Sequence, residues 1–193
     1  MPSDGLTTAH VQHPSVFRRR VSRIVLRIAM ALLWFVGLCS ARVYMVLWIR
    51  LWRFFGLRLN GRPRFVSPNA YLDDLDKITL GDRVVISSGV VLLTHDYSRT
   101  TELVAAGEHE GPDVATIRPI TIGDNVFLGW GSIVMPGTTI GDNVIVGAGS
   151  VVRGRIASGS VVVGNPAQVV CTMDELHKKH SDRIGTMEIR QDG

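Results

Sequence analysis

The sequence predicts a mainly β protein, a coil of short parallel strands with a triangular cross-section, and two superimposed repeats carry this prediction. An aliphatic residue returns at every sixth position, at Ile122, Leu128, Val134, Ile140, Val146 and Val152. A period of 18 residues lies over it, because the pentapeptide IGDNV at 122–126 recurs unchanged at 140–144. A helix of about 3.6 residues per turn would scatter these side chains around its surface. Three six-residue units per turn instead point one aliphatic side chain per face at the axis, and stacked turns bury each other.

The composition and the corner residues agree with this coil. Hydrophobic residues make up 46% of the chain but aromatic residues only 7%, as expected for small aliphatic side chains stacked in a narrow column. Gly and Asn recur where the chain must turn, and both tolerate a positive φ angle. A sandwich of two sheets would also use short strands, but it does not explain why the same pentapeptide recurs after 18 residues. Cys39 and Cys171 stand in unrelated contexts, so we expect neither a disulfide framework nor a cysteine metal site.

The net charge of +4 conceals an asymmetry between the two parts of the chain. Residues 1–64 contain eleven arginines and one acidic residue, a balance of about +10, whereas residues 65–193 contain ten Lys or Arg and sixteen Asp or Glu, a balance of about −6. Only the N-terminal part is therefore basic. We expect it to meet a local anionic partner, a lipid surface, and we expect no nucleic acid.

The N-terminal part predicts a disordered tail at 1–14 followed by a helical segment at 15–56. This segment contains no proline and indicates one long helix or two consecutive helices, with Gly37 as a candidate break and Gly56 as the end. Its apolar run at 28–41 has about 14 residues, fewer than the roughly 18–20 that span a bilayer.

Several features of this segment are typical of a helix that lies on a membrane surface. Trp34, Trp48 and Trp52 are of the type that anchors a helix at the membrane interface, and arginines flank the apolar run on both sides. A simple crossing favours positive charge on the cytoplasmic side only. We therefore expect residues 15–58 to lie on the anionic cytoplasmic leaflet. Two alternatives stay open: packing against the protein's own β-helix or a neighbouring subunit, and a signal peptide or spanning segment.

The repeat-bearing domain is expected at 65–170, with one interruption. The six-residue pattern begins imperfectly at Val66 and Leu72 and is regular from Leu80. An excursion loop at 98–117 is polar and acidic and lacks the repeated aliphatic residues. Such a loop inside a solenoid usually has a function or forms a lid.

The end of the chain, 171–193, predicts a short helix and a loose tail. Thr172 and Glu175 have the spacing of a capping box, in which each side chain bonds to the other residue's backbone N–H. The helix is therefore expected at about 173–180.

Four pieces of the chain resemble the hexapeptide-repeat acyltransferases. They are LTHDYS at 93–98, ITIGDNVFLGWGS at 120–132, PGTTIGDNVIVGAGSVV at 136–152 and VVVGNPAQVV at 161–170. The resemblance is greatest to the branch of the maltose, galactoside and virginiamycin acetyltransferases and the cell-surface-polysaccharide acetyltransferases. It implies a left-handed parallel β-helix, a homotrimer and CoA-dependent O-acetyl transfer.

The resemblance assigns the general base to His95, in the motif that precedes the excursion loop. A sugar hydroxyl is a poor nucleophile until a base takes its proton, and an imidazole is available as a base near neutral pH. Backbone N–H groups at the edge of the β-helix would stabilise the oxyanion. Asp96 and Tyr97 are candidates for supporting the acceptor or the imidazole, and the alternative for Asp96 is to stabilise a turn. His109, in the excursion loop, either contacts substrate or is merely exposed.

The resemblance also implies an acyl-CoA groove between neighbouring subunits of the trimer. The family's CoA contacts correspond here to Gly129, Trp130 and Ala148. The lysine that often follows the last turn in the family is a glycine in this chain, flanked by Arg153 and Arg155. We expect Arg153, together with Arg155, to rebuild the site for the 3′-phosphate of CoA; the alternative for both arginines is a solvated corner.

We therefore expect an O-acetyltransferase that uses acetyl-CoA, or another acyl-CoA, to modify a sugar hydroxyl of a glycan, polysaccharide or glycolipid precursor. It would work in the cytoplasm at the inner face of the cell membrane, and no metal is expected. One alternative is a non-catalytic trimeric scaffold at the membrane. The other is a zinc enzyme like the γ-type carbonic anhydrases, which needs three converging histidines. Residues 66–193 hold four histidines, two of them beyond the repeats.

Overall fold

The computed structural model describes residues 25, 28–29, 31–33, 35–36, 39–108 and 111–182, and its body is a coil of short strands. The first turn comprises β1 (Arg58–Leu59), β2 (Phe65–Val66) and β3 (Tyr71–Leu72), followed by a 3-10 turn (Leu75–Lys77); the second comprises β4 (Ile78–Leu80), β5 (Val85–Ile86) and β6 (Val91–Leu92). After an excursion with β7 (His95–Asp96) and β8 (Thr116–Ile117), the third turn comprises β9 (Ile120–Ile122), β10 (Phe127–Leu128) and β11 (Ile133–Val134). The fourth comprises β12 (Thr139–Ile140), β13 (Ile145–Val146) and β14 (Val151–Val152), and β15 (Arg155–Ile156), β16 (Ser160–Gly164) and β17 (Ala167–Thr172) close the coil.

Successive strands stack into three sheets, which are the three faces of the coil. Sheet A has the order β1-β4-β9-β12-β15, sheet B has β2-β5-β10-β13-β16-β17, and sheet C has β3-β6-β11-β14. Neighbours in these sheets are parallel, except that β16 and β17 form an antiparallel hairpin. The predicted β-helix of parallel strands is thus the observed body of the protein.

The core runs along the axis of the coil. The six aliphatic residues of the repeat, from Ile122 to Val152, are at most 1% exposed. The small or β-branched residues four positions after five of them are buried to the same degree: Val126, Ser132, Thr138, Val144 and Ser150. This burial confirms the six-residue period.

The corner between sheets A and B shows why the IGDN sequence recurs. Asn125 and Asn143 have φ angles of 53° and 55°, as expected of residues that turn the chain. Gly123 is needed for space instead, since a Cβ on it would lie 2.3 Å from Asp142 Oδ1 in the next turn. That carboxylate accepts a hydrogen bond from the Asp124 N–H at 2.7 Å, so aspartates form a ladder along this corner.

A helix, α1 (Ala41–Phe54), precedes the coil and packs on its first turn. Ser40 caps it by accepting a hydrogen bond from the Val43 N–H, so the first residue of this helix comes four positions after the candidate break at Gly37. Its buried face carries Tyr44, Met45, Trp48 and Trp52. These side chains belong to the same core cluster as Val66 in β2, so the helix covers the end of the coil.

The burial of Trp48 and Trp52 contradicts their predicted role as membrane-interface anchors. Their side chains are 0% and 4% exposed, because they fill the space between α1 and the first turn of the coil. For this face of the helix, packing on the protein's own β-helix is the correct alternative. Among the described residues, no helix is long and apolar enough to cross a bilayer. Trp34, Gly37, the predicted tail at 1–14 and residues 183–193 of the tail predicted at 181–193 lie outside the described residues.

Tyr44 links α1 to the coil through a buried hydroxyl, which donates to the Val66 carbonyl at 2.7 Å. Burial raises the pKa of Tyr44. Because the folded state holds this proton more tightly than the unfolded chain, its stabilising effect is complete below about pH 10 and is lost at higher pH. We expect the urea midpoint of unfolding to fall between about pH 9 and 11, and to fall less in Tyr44→Phe. An equal alkaline loss in both proteins would contradict this prediction.

The excursion after β6 is folded, which the sequence did not predict. A helix, α2 (Ser98–Ala105), begins shortly after β7, and β7 pairs with β8 in an antiparallel manner. The excursion therefore starts and ends as a two-stranded ribbon on the surface of the coil.

The C-terminal helix, α3 (Met173–Ser181), confirms the prediction. Thr172 and Glu175 form the expected capping box. The hydrogen bond from the Thr172 N–H lowers the pKa of Glu175, which also favours a carboxylate at this helix start.

Candidate active site

His95 stands at the root of the excursion, where the chain leaves the coil after β6. It lies opposite Ile117 in the ribbon of β7 and β8. Next to it, the Arg118 N–H donates to the Thr94 carbonyl at 2.8 Å, which ties the two ends of the excursion together. The imidazole is held on the surface of the coil with 33% of its side chain exposed, so a substrate can reach it.

A carboxylate from the preceding turn contacts the His95 imidazole. Nδ1 lies 2.6 Å from Asp73 Oδ2, and the Asp73 side chain is only 7% exposed. Asp74 Oδ2 is farther from the same nitrogen, at 3.5 Å. When Nδ1–H donates to Asp73, the neutral imidazole carries its lone pair on Nε2, and among the described residues Nε2 has no hydrogen-bond partner. Nε2 is therefore the nitrogen that can accept a proton.

Hydrogen bonds from Thr94 and Tyr71 hold the Asp73 carboxylate in place. The Thr94 N–H donates to Asp73 Oδ2 at 3.2 Å, and the Tyr71 hydroxyl donates to Oδ1 at 3.3 Å. Thr94 is fully buried, and its Oγ1 lies 3.1 Å from Asp73 Oδ2 and 3.0 Å from Asp74 Oδ2. A threonine hydroxyl has one proton to donate, so it serves one of these carboxylates at a time. By holding the Asp73 carboxylate in place, this network also orients the imidazole that contacts it.

The same three side chains form the one group in the described part of the chain that could hold a metal ion. Asp73, Asp74 and His95 offer ligand atoms within 4.8 Å of one another. The zinc alternative needs three histidines, whereas this group offers one. The contact of 2.6 Å between Nδ1 and Asp73 has the length of a direct charge-assisted hydrogen bond.

Asp96 and Tyr97 differ in their relation to the imidazole. Asp96 Oδ1 accepts a hydrogen bond from the Ser98 N–H at 2.8 Å, and this bond lowers the pKa of the Asp96 carboxyl. Asp96 thus makes the turn-stabilising contact, and the carboxylate beside the imidazole is Asp73. The Tyr97 ring lies edge-on to the imidazole, with centroids 5.4 Å apart, and is 53% exposed. His109 lies outside the described residues.

Three of the residues predicted to bind acyl-CoA lie at the corner between sheets B and C. Gly129 and Trp130 precede β11, and Ala148 occupies the same corner one turn later, where the Gly149 N–H donates to the Trp130 carbonyl at 2.8 Å. Gly129 has no room for a side chain, since a Cβ would lie 2.6 Å from the Ala148 nitrogen. Trp130 is 67% exposed and projects from this corner.

The fourth, Arg153, lies at the opposite end of sheet C, at the corner from which the excursion also leaves. Ile156 follows Val152 by four residues instead of six, yet it pairs in register with β12. Gly154, with a φ angle of 73°, turns this shortened corner. The tight turn explains why a glycine stands where the family often has a lysine. Arg153 and Arg155 are both exposed, and Arg155 is on β15.

A single chain does not bring the two ends of sheet C together. Gly131, next to Trp130, donates its N–H to the Ser88 carbonyl just before β6. His95 follows the other end of β6. The strands of sheet C therefore separate the predicted acyl-CoA corner from the imidazole.

Asp73 is the residue of this site that sequence reasoning missed. Its signal was weak but present: two consecutive acidic residues follow Leu72, at the corner one turn before Thr94 and His95. Recognising it required the register between β3 and β6, and the imperfect repeat at 66–80 concealed that register.

The chain matches a family model described as the hexapeptide repeat of succinyl-transferase, at residues 78–94 and 119–153. It is 39% identical to Nodulation protein L of Rhizobium meliloti (strain 1021) over 109 residues, 56% of this chain and 56% of that protein. It is 34% identical to WbbJ of Escherichia coli (strain K12), which is named provisionally as a lipopolysaccharide biosynthesis O-acetyl transferase. That match covers 60% of this chain and 65% of WbbJ. The chain thus spans between about half and two thirds of the length of these relatives.

Solved structures agree with this result. The hexapeptide-repeat acetyltransferase VCA0836 of Vibrio cholerae O1 biovar eltor, in complex with acetyl coenzyme A, has a TM-score of 0.52 and 28% identity, covering 61% of this chain and 60% of that one. A galactoside acetyltransferase in complex with coenzyme A has a TM-score of 0.56 and 24% identity, covering 79% and 82%, and shows the fold alone. The parallel sheets together with these likenesses fit a left-handed β-helix. The resemblance predicted from the sequence is thereby confirmed: the chain is similar to the hexapeptide-repeat acetyltransferases.

Proposed function

We propose that this protein is a CoA-dependent O-acetyltransferase that acetylates a sugar hydroxyl in polysaccharide or glycolipid biosynthesis. One observation carries the proposal: His95 Nδ1 lies 2.6 Å from Asp73 Oδ2 at the root of an excursion from a hexapeptide β-helix. The name of WbbJ supports a sugar acceptor, and the acetyl coenzyme A complex of VCA0836 supports acetyl-CoA as the donor.

In the proposed reaction, Nε2 of His95 accepts the proton of the sugar hydroxyl as its oxygen attacks the thioester carbonyl carbon. Asp73 keeps Nδ1 protonated and stabilises the imidazolium that forms. The same Nε2–H then returns its proton to the departing CoA thiolate, so the products are the acetylated sugar and free CoA. Exposed Tyr97 forms a wall beside the imidazole against which a sugar ring can lie.

We further propose that the complete site lies between subunits of a homotrimer. Supporting this, sheet C separates Trp130 from His95 within one chain, so a second chain can supply the missing wall of the groove. Trp130 is 67% exposed and offers a large apolar surface for either the pantetheine arm or a neighbouring subunit. Light scattering on the purified protein would give a mass of three chains if this holds.

We expect calorimetry to show saturable binding of CoA and acetyl-CoA, and we expect Arg153→Ala to weaken CoA binding about tenfold because a charge-assisted phosphate contact is lost. Arg155→Ala shows whether the neighbouring arginine shares this contact, and the matched control is Arg58→Ala, an exposed arginine on β1. Dephospho-CoA, which lacks the 3′-phosphate, should bind the wild type and Arg153→Ala equally. Binding of none of the acyl-CoAs would contradict the proposal and favour the non-catalytic scaffold.

A further inference from the structure

A basic pocket lies between the first turn of α1 and the A–B corner of the coil, away from the His95 corner. Its cavity measures about 460 Å³. Arginines from three separate elements line it, and we call it the arginine pocket: Arg42 from α1, Arg62 and Arg64 from the β1–β2 connection, and Arg83 from the β4–β5 connection.

The four positive charges of the arginine pocket face a single carboxylate in the lining. None of its four guanidinium groups forms an ion pair with a described acidic residue. Asp82 is the one carboxylate in the lining, and its Oδ1 accepts a hydrogen bond from the Arg62 backbone N–H at 2.9 Å. Arginine clusters of this kind match phosphate, because the planar guanidinium donates two parallel hydrogen bonds to its oxygens.

Arg83 departs from the repeat, and its backbone adopts a conformation that is unfavourable for arginine. It occupies the position of Asn125 and Asn143 in the next two turns, and its φ angle of 55° matches theirs. Asparagine tolerates this left-handed conformation, whereas a long side chain such as arginine adopts it rarely. The third and fourth turns keep the favourable residue, whereas the second turn, whose corner lines the pocket, replaces it with arginine. Such strain is typical of a functional position.

The surface beside the arginine pocket is apolar and basic. The outer face of α1 exposes Val43, Val46, Leu47 and Phe54, with exposed fractions between 37% and 84%. Arg50 and Arg53 are exposed on the same helix, which contains no acidic residue. Ahead of α1, Val25, Ile28, Leu32 and Phe35 are 50–64% exposed at helical spacing. Val46 lines the pocket, so the apolar surface continues into it.

We propose that the arginine pocket binds the phosphate of an anionic membrane lipid, while the outer face of α1 lies in the membrane interface. A soluble phosphate ester would match the arginines but not the adjoining apolar face. A lipid with an anionic headgroup matches both, because it presents a phosphate next to apolar chains. The buried tryptophans are thus not the anchors; the opposite face of the same helix is. The inference does not depend on the acetyl-transfer reaction, and the pocket leaves the His95 corner free.

The test is flotation of the full-length protein with phosphatidylcholine vesicles that contain or lack phosphatidylglycerol. We expect binding to the anionic vesicles only. Arg83→Asn should lower the partition coefficient about five- to tenfold, and Arg62→Gln/Arg64→Gln should lower it further. Arg83→Asn places in this corner the residue of the neighbouring turns, so its thermal midpoint should not fall. The matched control is Arg58→Gln, an exposed arginine on β1 outside the pocket, which should change binding less than twofold.

Three results would overturn the proposal. Equal losses in Arg83→Asn and Arg58→Gln would mean diffuse attraction without a site. Equal binding to both kinds of vesicle, or to neither, would mean that the lipid phosphate is not recognised. Saturable binding of glycerol 3-phosphate that Arg83→Asn abolishes, without vesicle binding, would assign the pocket to a soluble phosphate ester.

Discussion

His95→Ala is expected to lower kcat for acetyl transfer by about 10²- to 10⁴-fold, because the hydroxyl then has no positioned base to take its proton. Binding of acetyl-CoA should be nearly unchanged, since the imidazole is proposed to act on the acceptor hydroxyl and is not among the predicted CoA contacts. The variant should stay folded, because His95 lies on the surface ribbon outside the core. Steady-state rates and calorimetry on the same preparation measure both effects.

Asp73→Asn and Asp74→Asn provide the matched pair for this prediction. Asp73 is 2.6 Å from Nδ1 and Asp74 is 3.5 Å from it, so the first substitution should lower kcat by about tenfold or more and the second by less. Neither should raise the KM for acetyl-CoA, which distinguishes positioning of the base from loss of the donor site. Dialysis against a chelator should leave the wild-type rate intact; loss of activity that zinc restores would favour a metal at this group instead.

Mixed trimers test where the two halves of the site meet. If His95 of one subunit works with Trp130 of its neighbour, assemblies of His95→Ala and Trp130→Ala subunits regain part of the activity that each variant alone lacks. No recovery in verified mixed trimers would place the whole site within one subunit. Wild-type turnover in His95→Ala would end the proposed mechanism altogether.

Val146→Lys is expected to unfold the protein. Val146 is fully buried on the axis, between Leu128 and Val162 of the neighbouring turns. An unpaired ammonium there costs several kcal/mol, which is comparable with the total stability of about 5–15 kcal/mol of a typical domain. Circular dichroism and size-exclusion chromatography should show loss of the β signal or aggregation.

The matched control for this prediction is Thr139→Lys. Thr139 begins the neighbouring strand β12 and is exposed on the outer face of sheet A, beside Arg155 and Thr121. Its thermal midpoint should stay close to that of the wild type. A folded, wild-type-like Val146→Lys protein would show that the repeat does not point inward, and would contradict the β-helix itself.

The coil could be predicted because its repeat is visible within a short stretch of the chain, and because each repeat is stabilised by the same burial of an aliphatic side chain. Each aliphatic residue from Ile122 to Val152 sits in the same environment as its neighbour 18 residues away, so a pattern along the chain maps directly onto burial. The capping box at Thr172 and Glu175 is local in the same sense. The proposed role of His95 came from the resemblance of a short motif to the acetyltransferase family, and the motif stands at a break in the repeat that is visible along the chain.

The sequence by itself therefore determined the coil of short strands, the place where the excursion interrupts it, and the position of His95 at that interruption. The tertiary structure decided which carboxylate meets that histidine, because Asp73 arrives from the previous turn through a register that the imperfect first repeats do not reveal. It also decided which face of α1 is buried and which is exposed. Tryptophans at helical spacing suit a membrane interface and a protein core equally well, and only the presence of the open end of the coil beneath Trp48 and Trp52 selects burial. The four arginines of the pocket are likewise scattered over 42 positions of the chain and meet only because the helix folds back on the first turns.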